Sequence, residues 1–99
     1  MVKKFITAAN VDSLIKKEEK EFLKSNIRRD FNLMISENPR CKRFDFNNHA
    51  SSSDYTLATV TCAAEELSKE LYESGFIGGI GGGVLNKITG FYELFIQLG

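Results

Sequence analysis

Apolar residues fall on helical spacing through the first third of the chain, but on two different faces. At about 100° per residue, Val11, Leu14, Ile15 and Phe22 share one arc, while Leu23, Ile27, Phe31 and Met34 share another on the opposite side. A straight helix from Ala8 to Ser36 would carry an apolar stripe that jumps sides. The pattern therefore predicts two helices, 8–23 and 26–37, with a break near Lys24-Ser25-Asn26. The alternative is one long helix gripped from both sides, with the second grip supplied by a dimer partner. Thr7 or Asn10 is suited to cap the start, because either side-chain oxygen can accept an unpaired first-turn amide. Phe5-Ile6 reads as a short strand or a hydrophobic staple ahead of that cap. Asn38-Pro39 ends the helical region, since proline lacks an amide and disfavours helix at the residue before it.

Beyond Pro39 the period changes. Over 41–47, Phe44 and Phe46 alternate with charge, the mark of a half-buried strand, and both rings are assigned to the core rather than to base stacking. Residues 47–54 form a polar loop. Between Tyr55 and Tyr72 two patterns compete. The β-branched run Thr56, Thr59, Val60 and Thr61 predicts a strand at 55–61 followed by a helix at 62–74. The spacing of Leu57, Val60, Ala64, Leu67 and Leu71 instead suits a single amphipathic helix capped by Ser53 or Asp54. Gly75 stops the helix in either case.

Five glycines occupy the six positions 78–83 and predict a flexible turn or a bulged, twisted strand pair. Two strands follow, 84–88 and 91–98, joined at Thr89-Gly90. The second is apolar enough to be central or covered. The elements together predict an α+β fold, with N-terminal helices packed on a small antiparallel sheet. A mainly helical chain ending in a β-hairpin is the alternative.

Composition sets limits on this picture. Ninety-nine residues, 42% of them hydrophobic and 26% charged, suit a single globular domain over 1–99. Thirteen basic and thirteen acidic side chains give no net charge, which excludes a binder that holds DNA by bulk positive charge. Two cysteines and one histidine are too few for a four-ligand zinc site, and no metal or cofactor is expected. No apolar run is long enough to span a bilayer, and the uncharged stretch 74–86 lacks the charged face of an interfacial helix. The N-terminus does not read as a signal peptide, so a cytoplasmic location with reduced Cys41 and Cys62 is expected. A Cys41–Cys62 bridge is the alternative in an oxidising compartment. The basic neighbours of Cys41 would favour its thiolate if the thiol were reactive.

The charges are unevenly placed. Residues 1–43 hold eleven bases against six acids, and residues 44–99 hold two against seven. Such a bipolar chain can receive an anion at its basic part or assemble head to tail, or it can simply present two solvated helical faces. The best anion-site candidate is Arg28, Arg29, Arg40, Lys42 and Arg43, brought together if the chain reverses at Asn38-Pro39. The amides of Gly79 and Gly81 are a possible supplement. Neither nucleotide-loop motif is complete. Val84 stands where G-x-G-x-x-G needs its third glycine, and Asn86 and Ile88 break a Walker-type loop at Lys87.

His49 can be grouped on paper with Asp45, Asp54 and Ser51 to Ser53, but a serine-rich loop is poor scaffolding for catalysis. Glu65, Glu66, Glu70 and Glu73 read as an exposed acidic helix face beside Lys69 rather than as a cation site. The function expected is a small, non-enzymatic binding or regulatory protein that acts through protein–protein contacts and self-associates. A binder of nucleotides or other phosphorylated small molecules is the alternative, and a hydrolase around His49 is the third reading.

Overall fold

The computed structural model describes residues 7–99. The strand or staple expected at Phe5-Ile6 lies outside the described residues. One helix, α1 (Ala8–Glu37), fills the region where two were expected. Thr7 caps it, with its Oγ1 accepting the Asn10 amide at 3.2 Å, while Asn10 itself lies inside the helix. At about 1.5 Å per residue, α1 is about 45 Å long. It contains neither glycine nor proline, so nothing in its backbone chemistry compels a break. The change of apolar face marks the point where the helix enters the core. Leu23, Ile27 and Phe31 are buried, whereas the residues before Leu23 lie largely in the open. Asn38 ends the helix, its amide bonded to the Met34 carbonyl, and Pro39 follows.

A short strand, β1 (Arg43–Asp45), comes next. The loop expected over 47–54 holds a two-residue strand, β2 (Ala50–Ser51). The strand expected over 55–61 does not form. These residues open α2 (Leu57–Glu73), capped by Thr56 rather than by Ser53 or Asp54. Burial decides the competition between the two patterns. Val60, Ala63, Leu67 and Leu71 recur at helical spacing and all reach the core, which outweighs the weak strand preference of the threonines. At its C-terminus Gly75 takes φ +92°, the Gly75 amide bonds the Tyr72 carbonyl, and the Phe76 amide bonds the Leu71 carbonyl. This is a Schellman closure, which requires the left-handed residue that glycine supplies.

The glycine-rich segment is a strand, not a turn. β3 (Gly78–Asn86) begins six residues before the expected start at 84 and pairs with β4 (Phe91–Leu98). The register slips between Gly82 and Val84, so the bulged alternative describes this hairpin. Gly82 has φ +105°, and a Cβ there would overlap the Glu93 carbonyl. The expected link at Thr89-Gly90 is present, tightened by Asn86 Oδ1, which accepts the amides of Ile88 and Thr89.

The fold is α+β, with two helices on one face of an antiparallel four-stranded sheet. β4 is central, with β3 on one side and β1 and β2 on the other. Its alternation sends Tyr92, Leu94, Ile96 and Leu98 into the core beneath the helices. Phe91, Glu93, Phe95 and Gln97 lie on the opposite face, over which no described helix packs. Phe44 and Phe46 are core residues, as the alternation around them predicts, and the Phe44 ring meets Phe31 of α1 edge to face at 5.3 Å.

Candidate interaction surface

Helix α1 has two faces with different surroundings. Its inner face packs on α2 and the sheet through Leu23, Ile27 and Phe31. Its outer face carries Val11, Leu14, Ile15 and Phe22, which stay 43%, 50%, 47% and 63% exposed. Leu33 continues the same face about three turns further on and is also exposed. Single exposed apolar residues are ordinary, but five on one stripe of one helix are not. Most helical stability in proteins comes from packing an apolar face, and no described element packs over this one, although Phe22 borders a shallow hollow with Asp54 and Tyr55. Charged neighbours and helix-forming residues keep α1 helical; they do not cover that stripe.

A ladder of ion pairs holds α1 to α2. Lys20 Nζ lies 2.6 Å from Glu66 Oε2. Lys24 Nζ lies 3.0 Å from Glu66 Oε1, 3.0 Å from Glu70 Oε2 and 3.6 Å from Glu21 Oε1. Arg28 donates to Glu70 Oε1 from Nη2 at 2.6 Å and from Nε at 3.0 Å. The partners advance in step, four residues at a time, so the two helices run parallel. The basic N-terminal and acidic C-terminal parts of the sequence therefore meet inside one molecule. Glu66 and Glu70 face α1 and are not part of a solvated acidic face. Among the described residues no cluster of His, Cys, Asp and Glu is arranged to hold a metal.

The ladder sets the titration of its members. Lys20, the Cys62 thiol and Lys24 all donate to Glu66, which holds its carboxyl down to about 2. The bond to Glu66 raises Lys20. Burial works against the charge on Lys24, but hydrogen bonds to Glu66 and Glu70 outweigh it and leave Lys24 raised. Burial likewise opposes the charge on Glu70, and Lys24 and Arg28 still hold it below the usual range. The bond to Glu66, with some burial, pushes the Cys62 thiol up, away from the reactive thiolate. Both cysteines are free, and Cys41 Sγ contacts the Arg43 carbonyl at 3.1 Å.

The five basic residues expected to converge on an anion are dispersed. Arg28 is bonded to Glu70 between the helices, and Arg29 Nε to the neighbouring Asp30 at 3.1 Å. Because Phe44 faces α1, Arg43 points to the other side of the sheet. There it pairs with Asp45 at 3.2 Å and sits 4.2 Å above the centre of the Phe95 ring. Arg40 and Lys42 form no ion pair among the described residues. The amide of Ile80 turns outward to Ser68 Oγ at 2.8 Å, so strand alternation points those of Gly79 and Gly81 toward β4. That leaves neither amide free to cradle an anion. Gly81 has a packing role instead: a Cβ there would come within 2.7 Å of the Phe95 ring, which lies across it.

His49 finds a partner that sequence reasoning missed. Its Nε2 lies 2.6 Å from Asp30 Oδ2 on α1, not beside Asp45 or Asp54. The bond to His49, helped by Arg29, holds the Asp30 carboxyl below its ordinary range. His49 also meets Phe46 edge-on, and its Nδ1 is buried with no hydrogen-bond partner among the described residues. The serine hydroxyls of 51 and 53 bond each other at 2.8 Å, and no serine bonds His49. A helix residue 19 positions away carries no local signal that marks it as the partner of a loop histidine.

The molecule is thus a small α+β domain that, among its described residues, presents an exposed apolar stripe along a long helix. Searches against protein-family models, curated proteins and solved structures give no match. Among the described residues no helix is long and apolar enough to cross a membrane.

Proposed function

We propose that this chain is a small, non-enzymatic binding protein that acts through protein–protein contacts and associates with itself. One observation carries this reading: Val11, Leu14, Ile15, Phe22 and Leu33 form an apolar stripe that stays exposed among the described residues. The absence of net charge supports self-association, because no long-range repulsion opposes the meeting of two copies. A cytoplasmic location remains part of the proposal. The alternative, a phosphorylated small molecule held by Arg28, Arg29, Arg40, Lys42 and Arg43, has less support. Three of those arginines already have carboxylate partners, which a phosphate would have to displace.

The test is the mass in solution, by light scattering across a wide range of protein concentration. The expected result is twice 11.1 kDa at high concentration for the natural sequence, and 11.1 kDa for Phe22→Glu. A mass of 11.1 kDa for the natural sequence at every concentration would overturn the proposal. A rise in melting temperature with millimolar phosphate or nucleotide would favour the alternative.

A further inference from the structure

Resting on the self-association proposed above, we infer that the covering partner of the α1 stripe is a second copy of the same helix, packed antiparallel about a two-fold axis between Leu23 and Lys24. The charges in the stripe carry this inference. At about 100° per residue, the outer arc of α1 that holds the exposed apolar residues contains only two charged side chains, Glu18 and Arg29. Both are exposed. They have opposite sign and lie three turns apart.

In a parallel pair each would face its own copy, glutamate on glutamate and arginine on arginine. Reversing one helix places Glu18 of each copy opposite Arg29 of the other, twice over. The register that makes those pairs also sets Leu14 opposite Leu33, and Phe22 opposite Ser25, a large side chain against a small one. The charge pair fixes the centre, and about it Leu14 meets Leu33 and Phe22 meets Ser25, while Val11 and Ile15 meet the smaller polar Ser36 and Asn32, each pairing made twice, as an isologous interface requires. Charges at such positions set partner choice and orientation more than they set raw affinity.

The same symmetry keeps like flanks together. The side of the helix bearing Asp12, Glu19 and Glu37 lies beside its own copy, which makes the cation at position 29 important to the pairing. Among the described residues Arg29 bonds only to the neighbouring Asp30, through Nε, which leaves its two terminal nitrogens to reach across.

The test uses charge exchange. Glu18→Arg sets two arginines against each other, and Arg29→Glu sets two glutamates against each other. Each variant alone should dissociate at least about tenfold more readily than the natural dimer in sedimentation velocity. An equimolar mixture of the two variants restores both pairs in a heterodimer, and the double variant Glu18→Arg/Arg29→Glu restores them within one sequence. Both should regain the dimer, with circular dichroism unchanged throughout. Single variants that dimerise like the natural sequence, or a mixture and a double variant that both stay monomeric beside a dimeric natural sequence, would overturn the antiparallel pairing alone. A monomeric natural sequence would overturn the parent reading and this one together.

Discussion

At the scale of single residues, Lys24 shows how a charge can be buried without being stranded. Its side chain is 8% exposed, yet three carboxylates surround its ammonium, and its aliphatic stem fills the space between α1 and α2. Lys24→Ala should therefore lower stability by about 2 kcal/mol in urea unfolding, because it removes packing and leaves Glu66 and Glu70 less compensated. Acid should act through the same ladder. Glu66 titrates at about 2 in the folded chain, below its ordinary 4.5. Its contribution is thus complete above pH 4.5 and fades as the pH falls toward 2. Glu66→Gln should flatten that part of the curve of stability against pH, and an unchanged slope would contradict the assignment.

Glycine has two distinct roles in β3. Gly82→Ala meets both a positive φ and the Glu93 carbonyl, and should cost at least about 2 kcal/mol. Gly81→Ala only crowds the Phe95 ring, so its cost should be about 1 kcal/mol and should shrink when Phe95→Leu is made as well.

At the scale of elements, α1 is where sequence and structure are most instructive together. The two apolar arcs and the residues on each were legible, because helical period is a local property. Whether the jump between them meant a broken helix or a helix covered on two sides was not legible. That depends on where the rest of the chain packs, and no residue near Lys24 forces a break. In α2 the threonines pointed to a strand, and only the buried row Val60, Ala63, Leu67 and Leu71 shows why the helix prevails. The glycine run hid a strand because it has no side chains with which to display a period of two. The arginines were visible as a group, but their carboxylate partners come from α2, 42 residues away in the case of Arg28, and from neighbours whose pairing depends on rotamer. The two faces of α1 can be told apart by experiment. Ile27→Ala should destabilise the fold by about 3 kcal/mol, in the range for a fully buried aliphatic side chain. Ile15→Ala should leave unfolding of the isolated chain within about 0.5 kcal/mol and weaken self-association instead.

At the scale of the whole molecule, the charge asymmetry along the sequence becomes an internal fastening, and an apolar stripe remains on the outside. The +5 and −5 parts of the chain are joined where Lys20, Lys24 and Arg28 meet Glu66 and Glu70, so much of the polarity seen in the sequence is consumed in holding the two helices parallel. The sheet's uncovered face is less available. Its central ring, Phe95, already lies over Gly81 and under Arg43. The outer face of α1 gathers Val11, Leu14, Ile15, Phe22 and Leu33 on one stripe with no such occupant among the described residues. Amide hydrogen exchange resolved along α1, compared at low and high protein concentration, examines that surface directly. If a second copy covers it, protection from Val11 to Phe22 rises with concentration while protection in the buried strand β4 stays the same. Protection of Val11 to Phe22 that stays low at every concentration would contradict the covering of the stripe by a second copy.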